Sequence, residues 1–340
     1  MVRLGRLLVA SLAAFGLGAA TSAGAEAELP RLSLDPAGVT VSGISAGGYM
    51  AGQFQVSWST LVHGAGFFAA GPWNCAHDSL SRAFGECLAR ATSAPDSAEL
   101  VAMARTAAAA HSIDPLDALA RTRVYALHGT ADDQVATAVS DALVEFYRAF
   151  VPANQIRYRS DVAVAHGIPT LAAGGPCGIT AAPYLNACGI DAVGEMLSFL
   201  YPGLAAPDAA ARARATRATG LRRFAQASYD GAGDLAASGF LYVPGRCTHG
   251  TPCRLHIAFH GCRQGEEFVG LAFVRDAGYN AWAEANDLVI LYPQLARSLL
   301  APLNPQGCWD WWGYRDAGYA TQAGSQVRAV RGMVRALGGF

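Results

Sequence analysis

The sequence predicts an α/β fold, a mostly parallel sheet with helices on both faces. Short apolar, β-branched runs alternate along the chain with longer segments of helical character. The composition is 52% hydrophobic and 15% charged, which suits a large buried core. The formal net charge of −1 gives no indication of nucleic acid or of an anionic membrane surface as a partner.

Residues 1–25 precede the predicted fold. Arg3 and Arg6 come before an apolar run that ends at Ala23-Gly24-Ala25, which is the pattern of a secretory signal peptide and its cleavage site. A membrane anchor is the alternative, but the run is short and rich in Gly and Ala for a span. We therefore expect the mature chain, 26–340, to be exported as a single domain without a membrane span.

Strands and helices follow one another in order. The predicted strands are GVTVSG (38–43), LVHGAGFFAAG (61–71), RVYALHG (123–129), QIRYRS (155–160), GFLYVP (239–244), LHIAFHG (255–261) and LVILYPQ (288–294). The predicted helices lie in 46–58, 97–111, 136–150, 191–201 and 325–338. The Ala/Arg-rich segment 202–226 has no clear apolar stripe, and we expect it to be a surface connector.

The pentapeptide Gly43-Ile44-Ser45-Ala46-Gly47 follows a predicted strand and opens a predicted helix. A nucleophile elbow needs this context, because its glycines permit a sharp turn that exposes the serine Oγ. In a chain with 38 glycines the GxSxG pattern alone is weak, and an ordinary Gly-rich turn is the alternative. The preceding β-branched strand favours the elbow, with Ser45 as nucleophile.

A serine nucleophile needs a base and a group that orients the base. His166, in a Gly/Pro loop, is the best candidate for the base. Asp132 and Asp133 both follow the strand 123–129, and only one of them can point at the site. We favour Asp132 because HGxxDxxV is the usual hydrolase spacing. For Asp133 we expect a solvent-facing or helix-capping role.

The segment LHIAFHGC indicates a second part of an active site. A strand followed by His-Gly is how an α/β-hydrolase offers a backbone N–H to its oxyanion hole. We expect the N–H groups of Cys262 and Ala46 to hold the oxyanion. A catalytic cysteine is the alternative, which the even cysteine count of an exported chain disfavours.

The order of these motifs is reversed relative to the usual hydrolase, in which the oxyanion loop precedes the nucleophile. If the chain is taken from Gly239 to its C-terminus and then joined to the mature N-terminus, the usual order is restored. The sequence therefore predicts a circularly permuted α/β-hydrolase fold, with 202–226 joining the permuted halves.

Eight cysteines in an exported chain indicate disulfides, although connectivity cannot be deduced from sequence. Proximity suggests the pairs Cys75–Cys87, Cys177–Cys188 and Cys247–Cys253, which leaves Cys262 with Cys308. Zinc is a poorer alternative, because the spacings lack the pattern of a structural zinc site.

The segment Asn304–Ala320 is dense in aromatic residues, with three of the six tryptophans. Trp309, Trp311, Trp312 and Tyr314 would suit a cleft for an apolar polymer or acyl chain. The alternative is packing beneath the Cys262–Cys308 tether. We expect at least one tryptophan in each role.

Five segments resemble the secreted poly(3-hydroxybutyrate) depolymerases, in their single-domain, circularly permuted branch. They are SGISAGGYMAGQ, HGTADDQV, AHGIPT, FLYVPGRCTHGTPCRLHIAFHGCRQG and NPQGCWDWWGYRDAGYA. The resemblance implies a triad of Ser45, Asp132 and His166, and oxyanion donors from Ala46 and Cys262. It also implies a crevice lined by aromatics of 309–314. The sequence shows no sign of the separate polymer-adsorbing domain found in two-domain depolymerases.

We expect a monomeric, secreted esterase that releases 3-hydroxybutyrate and short oligomers, and a serine mechanism of this kind needs no metal or organic cofactor. A feruloyl, acetylxylan or small-ester esterase is the alternative within ester hydrolysis. A non-catalytic binding protein on a hydrolase scaffold is an alternative from another class, which the intact Ser, Asp and His set disfavours.

Overall fold

The computed structural model describes residues 27–88, 93–216 and 220–340, so the predicted signal segment lies outside the described residues. The described strands are β1 (Leu34–Ile44), β2 (Gly64–Phe68), β3 (Arg123–Gly129), β4 (Ile156–Val162), β5 (Ile168–Thr170), β6 (Gly175–Pro176), β7 (Leu185–Ala187), β8 (Leu221–Ala225), β9 (Ser238–Tyr242), β10 (Cys253–Phe259) and β11 (Leu288–Tyr292). The described α-helices are α1 (Ala46–Ser57), α2 (Leu80–Glu86), α3 (Ser97–Ala109), α4 (Thr137–Arg148), α5 (Ala192–Leu200), α6 (Ala209–Ala215), α7 (Glu266–Val269), α8 (Ala272–Asp276), α9 (Tyr279–Asn286) and α10 (Ser325–Gly338).

The main sheet has the strand order β4-β3-β2-β1-β10-β11-β9-β8. The strands from β4 to β11 run parallel to their neighbours, and β9 is antiparallel to both β11 and β8. Parallel strands are covered on both faces, which explains why the inner strands are continuous apolar runs. Every residue of β11, for example, is buried.

Successive side chains of a strand point to opposite faces, so the sheet separates two apolar cores. In β11, Val289 and Leu291 belong to the core that α1 and α10 cover. Ile290 and Tyr292 belong to the core that α5 and α9 cover. The predicted α/β class, with helices on both faces of a mostly parallel sheet, is confirmed.

The two halves of the sheet come from the two halves of the chain. Strands β1 to β4 form one side and β8 to β11 the other, and they meet where β1 pairs with β10. The two ends of the described chain also meet, because the N–H of Leu32 donates to the carbonyl of Leu337 at 2.8 Å. Circular permutation requires such neighbouring ends, so this arrangement is the one that the motif order predicts.

Other parts of the fold differ from the sequence-based expectation. The segment 202–226 contains α6 and the edge strand β8, so only part of it connects the two halves. A small sheet of order β5-β7-β6 also lies after β4, where no strands were predicted. Among the described helices, none is long and apolar enough to cross a bilayer.

The loops after β1, β3, β4 and β10 leave the sheet at the carboxyl ends of parallel strands. Such ends lie along one edge of an open α/β sheet. The four segments predicted to carry chemistry therefore meet at this edge. Register brings two of them especially close, because Gly43 at the end of β1 is paired with Phe259 at the end of β10.

Candidate active site

Ser45 occupies the sharp turn between β1 and α1. Its φ of 55° and ψ of −127° are strained for a residue with a side chain. The turn is held by the N–H of Ser45, which donates to the carbonyl of Phe68 at 3.0 Å. This geometry is that of a nucleophile elbow, in which the serine is presented at the top of the sheet.

Gly47 allows the elbow to press against the end of β10. A Cβ at this position would lie 2.3 Å from the carbonyl oxygen of Phe259 and 2.4 Å from that of His260. Both are backbone atoms that a larger side chain would have to displace. The absence of a side chain at Gly47 therefore brings the serine turn next to the His-Gly-Cys loop.

Asp132 and His166 form a buried pair. The Nδ1–H of His166 donates to Oδ2 of Asp132 at 2.8 Å, and the aspartate side chain is fully buried. Its other oxygen, Oδ1, accepts the N–H groups of Gln134 at 2.8 Å and Val135 at 2.9 Å. Burial by itself would raise the pKa of Asp132, but His166 and these N–H donors hold it below its ordinary value.

Ser45 and His166 line the same cavity, which has a volume of about 380 Å³. Asp132 lies behind His166 and fixes the orientation of its ring. The structure thus brings the three predicted triad residues together at one edge of the sheet. Asp132, and not Asp133, makes the contact with the histidine.

Asp133 supports the histidine indirectly. Its Oδ1 accepts the hydroxyl of Thr180 at 2.6 Å, and the Oγ1 of Thr180 in turn accepts the backbone N–H of His166 at 3.1 Å. Thr180 lies between β6 and β7, in a segment that the Cys177–Cys188 disulfide closes. Neither role was predicted from sequence, because Thr180 carries no local motif.

Replacing Thr180 with valine is expected to lower kcat about tenfold with little change in KM. Valine keeps the shape of threonine but cannot accept the N–H of His166 or donate to Asp133. Steady-state hydrolysis of p-nitrophenyl butyrate measures the effect. Thr180→Ser, which keeps the hydroxyl, is the matched control; equal kcat values for the two variants would contradict this positioning role.

The His-Gly-Cys loop is fixed by hydrogen bonds on both sides. Gln264 accepts the N–H of Gly261 at 2.8 Å and donates to the carbonyl of Pro183 at 3.0 Å. The ring of His260 bonds the carbonyl of Gly261 at 2.8 Å and accepts the N–H of Leu295 at 3.2 Å. Burial lowers the pKa of His260 to about 4, so this ring is neutral and holds the backbone.

Ala46 and Cys262 both line the cavity beside Ser45. Their backbone N–H groups donate no hydrogen bond within the part of the chain that the structure describes. Ala46 is the first residue of α1, where N–H groups have no partner inside the helix. Two N–H groups without a partner are therefore available next to the serine.

The four disulfides join the pairs that sequence proximity suggests. They are Cys75–Cys87, Cys177–Cys188, Cys247–Cys253 and Cys262–Cys308. The Cys262–Cys308 bond ties the His-Gly-Cys loop to the start of the aromatic segment, across 46 residues of sequence. Among the described residues, no group of three or more His, Cys, Asp or Glu could hold a metal ion.

The double variant Cys262→Ser/Cys308→Ser is expected to lose about 4 kcal/mol of unfolding free energy, because a long loop is released. It should also lose kcat, since the N–H of Cys262 is no longer anchored. Cys247→Ser/Cys253→Ser opens a loop of only 6 residues at the far end of β10. This control should lose about 2 kcal/mol and keep its kcat; a matching loss of kcat would contradict the anchoring role. Urea unfolding and ester hydrolysis measure the two quantities.

The aromatic segment divides into two roles. Trp311 and Trp312 line the cavity, and the ring of Trp311 stacks on Tyr49 with centroids 4.8 Å apart. Trp309 is fully buried and packs against Phe259 at 5.1 Å, beneath the tethered loop. Tyr314 does not line the cavity, and its hydroxyl donates to the carbonyl of Cys308 at 2.9 Å. The prediction that Trp309 and Tyr314 line a crevice is therefore corrected: Trp309 lies in the core, and the half-buried Tyr314 packs its ring against Trp312 without lining the cavity.

The chain is similar to known depolymerases over most of its length. No family model matches the chain. It is 40% identical to "Poly(3-hydroxybutyrate) depolymerase" of Delftia acidovorans, over 96% of this chain and 64% of the length of that relative. It is 31% identical to "Polyhydroxybutyrate depolymerase" of Talaromyces funiculosus, over 91% of this chain and 92% of that relative. The chain belongs to the poly(3-hydroxybutyrate) depolymerase family.

Solved structures of depolymerases agree with this assignment. The crystal structure of PHB depolymerase from Penicillium funiculosum matches with a TM-score of 0.84 and 30% identity, over 91% of this chain and 98% of that one. A serine-to-alanine variant of a PHB depolymerase, complexed with an R3HB trimer, matches with the same values. At this likeness the depolymerase fold is shared over nearly the whole described chain.

In this depolymerase-family chain, Asp310 shapes the wall of the cavity. Its buried carboxylate accepts the backbone N–H groups of Gly313 at 2.7 Å, Tyr314 at 3.0 Å and Arg315 at 2.9 Å. The loop is thus wound around one side chain, which places Trp311 and Trp312 at the cavity. Burial raises the pKa of Asp310 to about 6, although these donors act in the opposite direction.

The mouth of the cavity is apolar and exposed. Leu80 and Phe84 on α2 are 59% and 64% exposed, and Leu303 on the opposite loop is 62% exposed. All three line the same cavity as Ser45. Large exposed apolar side chains around one opening mark a surface that contacts an apolar partner.

Proposed function

We propose that this chain is a secreted serine hydrolase that cleaves the ester bonds of poly(3-hydroxybutyrate) and its oligomers. The observation that carries the proposal is the cavity in which Ser45 and His166 meet two unpartnered N–H groups, in a chain of the depolymerase family. The products are 3-hydroxybutyrate and short oligomers.

Acyl transfer begins at Ser45. His166 takes the proton of the serine hydroxyl through Nε2, and Oγ attacks the ester carbonyl. Because Asp132 accepts the Nδ1–H, the opposite nitrogen of the ring is left free to act as the base. The ionised carboxylate of Asp132 then stabilises the imidazolium that forms.

The negative charge on the carbonyl oxygen is held by the N–H groups of Ala46 and Cys262. These donors are positioned before the charge develops, since α1, the hydrogen bonds of Gln264 and the Cys262–Cys308 bond hold the backbone in place. Such prearranged donors supply a large part of the rate enhancement in acyl transfer. His166 then protonates the leaving hydroxyl, and water releases the acyl group by the same route.

The cavity lining matches a polyester better than a carbohydrate ester. Its walls are formed mainly by aliphatic and aromatic side chains, and the exposed rim of Leu80, Phe84 and Leu303 is also apolar. A polyester of short hydroxy acids offers alternating ester groups and methyl groups, which fit apolar walls with a few polar atoms. The R3HB trimer bound by a family member is a ligand of this kind.

We further propose that 26–340 form one catalytic domain that acts as a monomer outside the cytoplasm. The four disulfides support export, because disulfides persist in oxidising compartments. The single main sheet with a core on each face supports one domain.

The proposal is tested with a turbid suspension of amorphous poly(3-hydroxybutyrate), treated with the wild type or with Ser45→Ala. Clearing by the wild type alone is the expected result. If the suspension stays turbid while p-nitrophenyl butyrate is still hydrolysed through Ser45, the enzyme is a small-ester or carbohydrate esterase. Hydrolysis of feruloyl and acetylated sugars then distinguishes a carbohydrate esterase from a small-ester esterase.

A further inference from the structure

The cavity contains one fixed charge. Among the described residues that line it, Arg263 carries a permanent charge, and all the others except His166 are neutral. The arginine follows Cys262 directly, so its side chain leaves the backbone next to a proposed oxyanion donor. Arg263 is exposed while it lines the cavity, so solvent screens its charge in part and its attraction for an anionic ligand is modest.

The backbone holds Arg263 in a defined place. Its φ is 55°, a conformation that residues with a side chain seldom adopt. Its N–H donates to the carbonyl of Gln306 at 2.7 Å, and the adjacent Cys262 is tied to Cys308. Strain of this kind persists where the surroundings impose it and is concentrated at functional sites.

The guanidinium group lies over the ring of Tyr184, 5.6 Å from its centroid. Tyr184 is itself anchored, because its carbonyl accepts the N–H of Ile168 at 3.0 Å and the side-chain amide of Gln264 at 3.2 Å. Arg263 therefore sits between the His-Gly-Cys loop and the segment that follows His166. Within the described ranges it forms no ion pair with a carboxylate.

We propose that Arg263 binds a carboxylate of the ligand, which makes it a specificity-determining residue for ester substrates with a free acid end. The proposal rests on the function proposed above. An oligomer of 3-hydroxybutyrate has one terminal carboxylate, and each cleavage releases another in this cavity. A guanidinium can receive both carboxylate oxygens at once, which a neutral residue cannot do.

The first experiment compares the (R)-3-hydroxybutyrate trimer as its free acid with the same trimer as its methyl ester. The wild type is expected to show a higher kcat/KM for the free acid. In Arg263→Gln the ratio of the two kcat/KM values should fall about threefold to tenfold, as expected for an exposed charge pair. Arg263→Lys should keep part of the ratio, because it keeps the charge.

Arg105→Gln is the matched control for net charge. Arg105 is exposed on α3, makes no ion pair among the described residues and does not line the cavity of Ser45. This control should retain the wild-type ratio. An unchanged ratio in Arg263→Gln, or an equal fall in Arg105→Gln, would overturn the proposal.

The second experiment separates the released acid from the substrate end. Inhibition of p-nitrophenyl butyrate hydrolysis is measured with (R)-3-hydroxybutyrate and with its methyl ester. Stronger inhibition by the acid in the wild type, lost in Arg263→Gln, places the product carboxylate at this arginine. If the inhibition constant of the acid is the same in both proteins, Arg263 does not bind the product carboxylate. A change in the ratio for the two trimers then reports binding of the terminal carboxylate of the substrate alone.

The same measurements keep the two proposals apart. If the wild type hydrolyses neither trimer, the polyester function fails, while p-nitrophenyl butyrate and its inhibition by the acid still test Arg263. If both trimers are hydrolysed equally and the acid does not inhibit, the carboxylate site fails and the polyester function stands.

Discussion

Asp132→Asn is expected to lower kcat for ester hydrolysis about 10⁴-fold. Oδ1 of Asp132 is held by two backbone N–H groups, from Gln134 and Val135. An asparagine would keep its oxygen there and turn its NH₂ group toward Nδ1 of His166. The ring must then carry its proton on the opposite nitrogen, where it cannot accept the proton of Ser45.

The neighbouring Asp133→Asn is the matched control, because it makes the same chemical change one residue away. Asp133 is exposed and reaches His166 only through Thr180, so we expect a loss of kcat below about tenfold. Hydrolysis of p-nitrophenyl butyrate measures both variants. A larger loss for Asp133→Asn than for Asp132→Asn would reverse the assignment of the acid.

Gly47→Ala is expected to destabilise the protein by about 3 kcal/mol and to lower kcat strongly. The added methyl group would meet the carbonyl oxygens of Phe259 and His260 at 2.3 and 2.4 Å, and backbone atoms cannot rotate away as a side chain can. The end of β10 must shift, and with it the His-Gly-Cys loop. Urea unfolding measures the stability, and the kcat for p-nitrophenyl butyrate measures the displacement of the loop.

Gly52→Ala lies on the same helix, α1, and should have the opposite effect on stability. A Cβ there would lie 3.5 Å from the nearest atom, in the ring of Phe67, which is ordinary contact. Alanine is favoured over glycine inside a helix by up to about 1 kcal/mol. If both variants were destabilised equally, the loss in Gly47→Ala would reflect crowding of the helix in general and not contact with β10.

The residues of the candidate active site could be located from sequence because each lies at the end of a strand with a local motif. Ser45 needs a turn that only its glycine neighbours permit, and Asp132 and Cys262 follow apolar runs that end in His-Gly. Parallel strands place their carboxyl ends along one edge, so such motifs meet without any knowledge of side-chain contacts. The permuted order of the motifs could be predicted for the same reason.

The residues that hold these groups in place could not be predicted. Thr180, Gln264 and Asp310 act through hydrogen bonds whose partners are fixed by how loops pack. Polar residues in loops have many possible partners, and the sequence does not state which one folding brings near. The edge strand β8 escaped prediction as well, because only one of its five residues LRRFA is buried and the strand lacks an alternating apolar pattern.

The aromatic segment shows most clearly which features the sequence predicts and which depend on the tertiary structure. The sequence predicted that rings from Asn304–Ala320 would line a cleft or pack beneath a Cys262–Cys308 tether, but not which ring takes which role. Only the tertiary structure decided that Trp311 and Trp312 line the cavity, while Trp309 is buried in the core and the hydroxyl of Tyr314 is turned to the carbonyl of Cys308. The physical reason is that the loop winds around the carboxylate of Asp310, and the direction of each ring follows from that winding and not from the spacing of the residues.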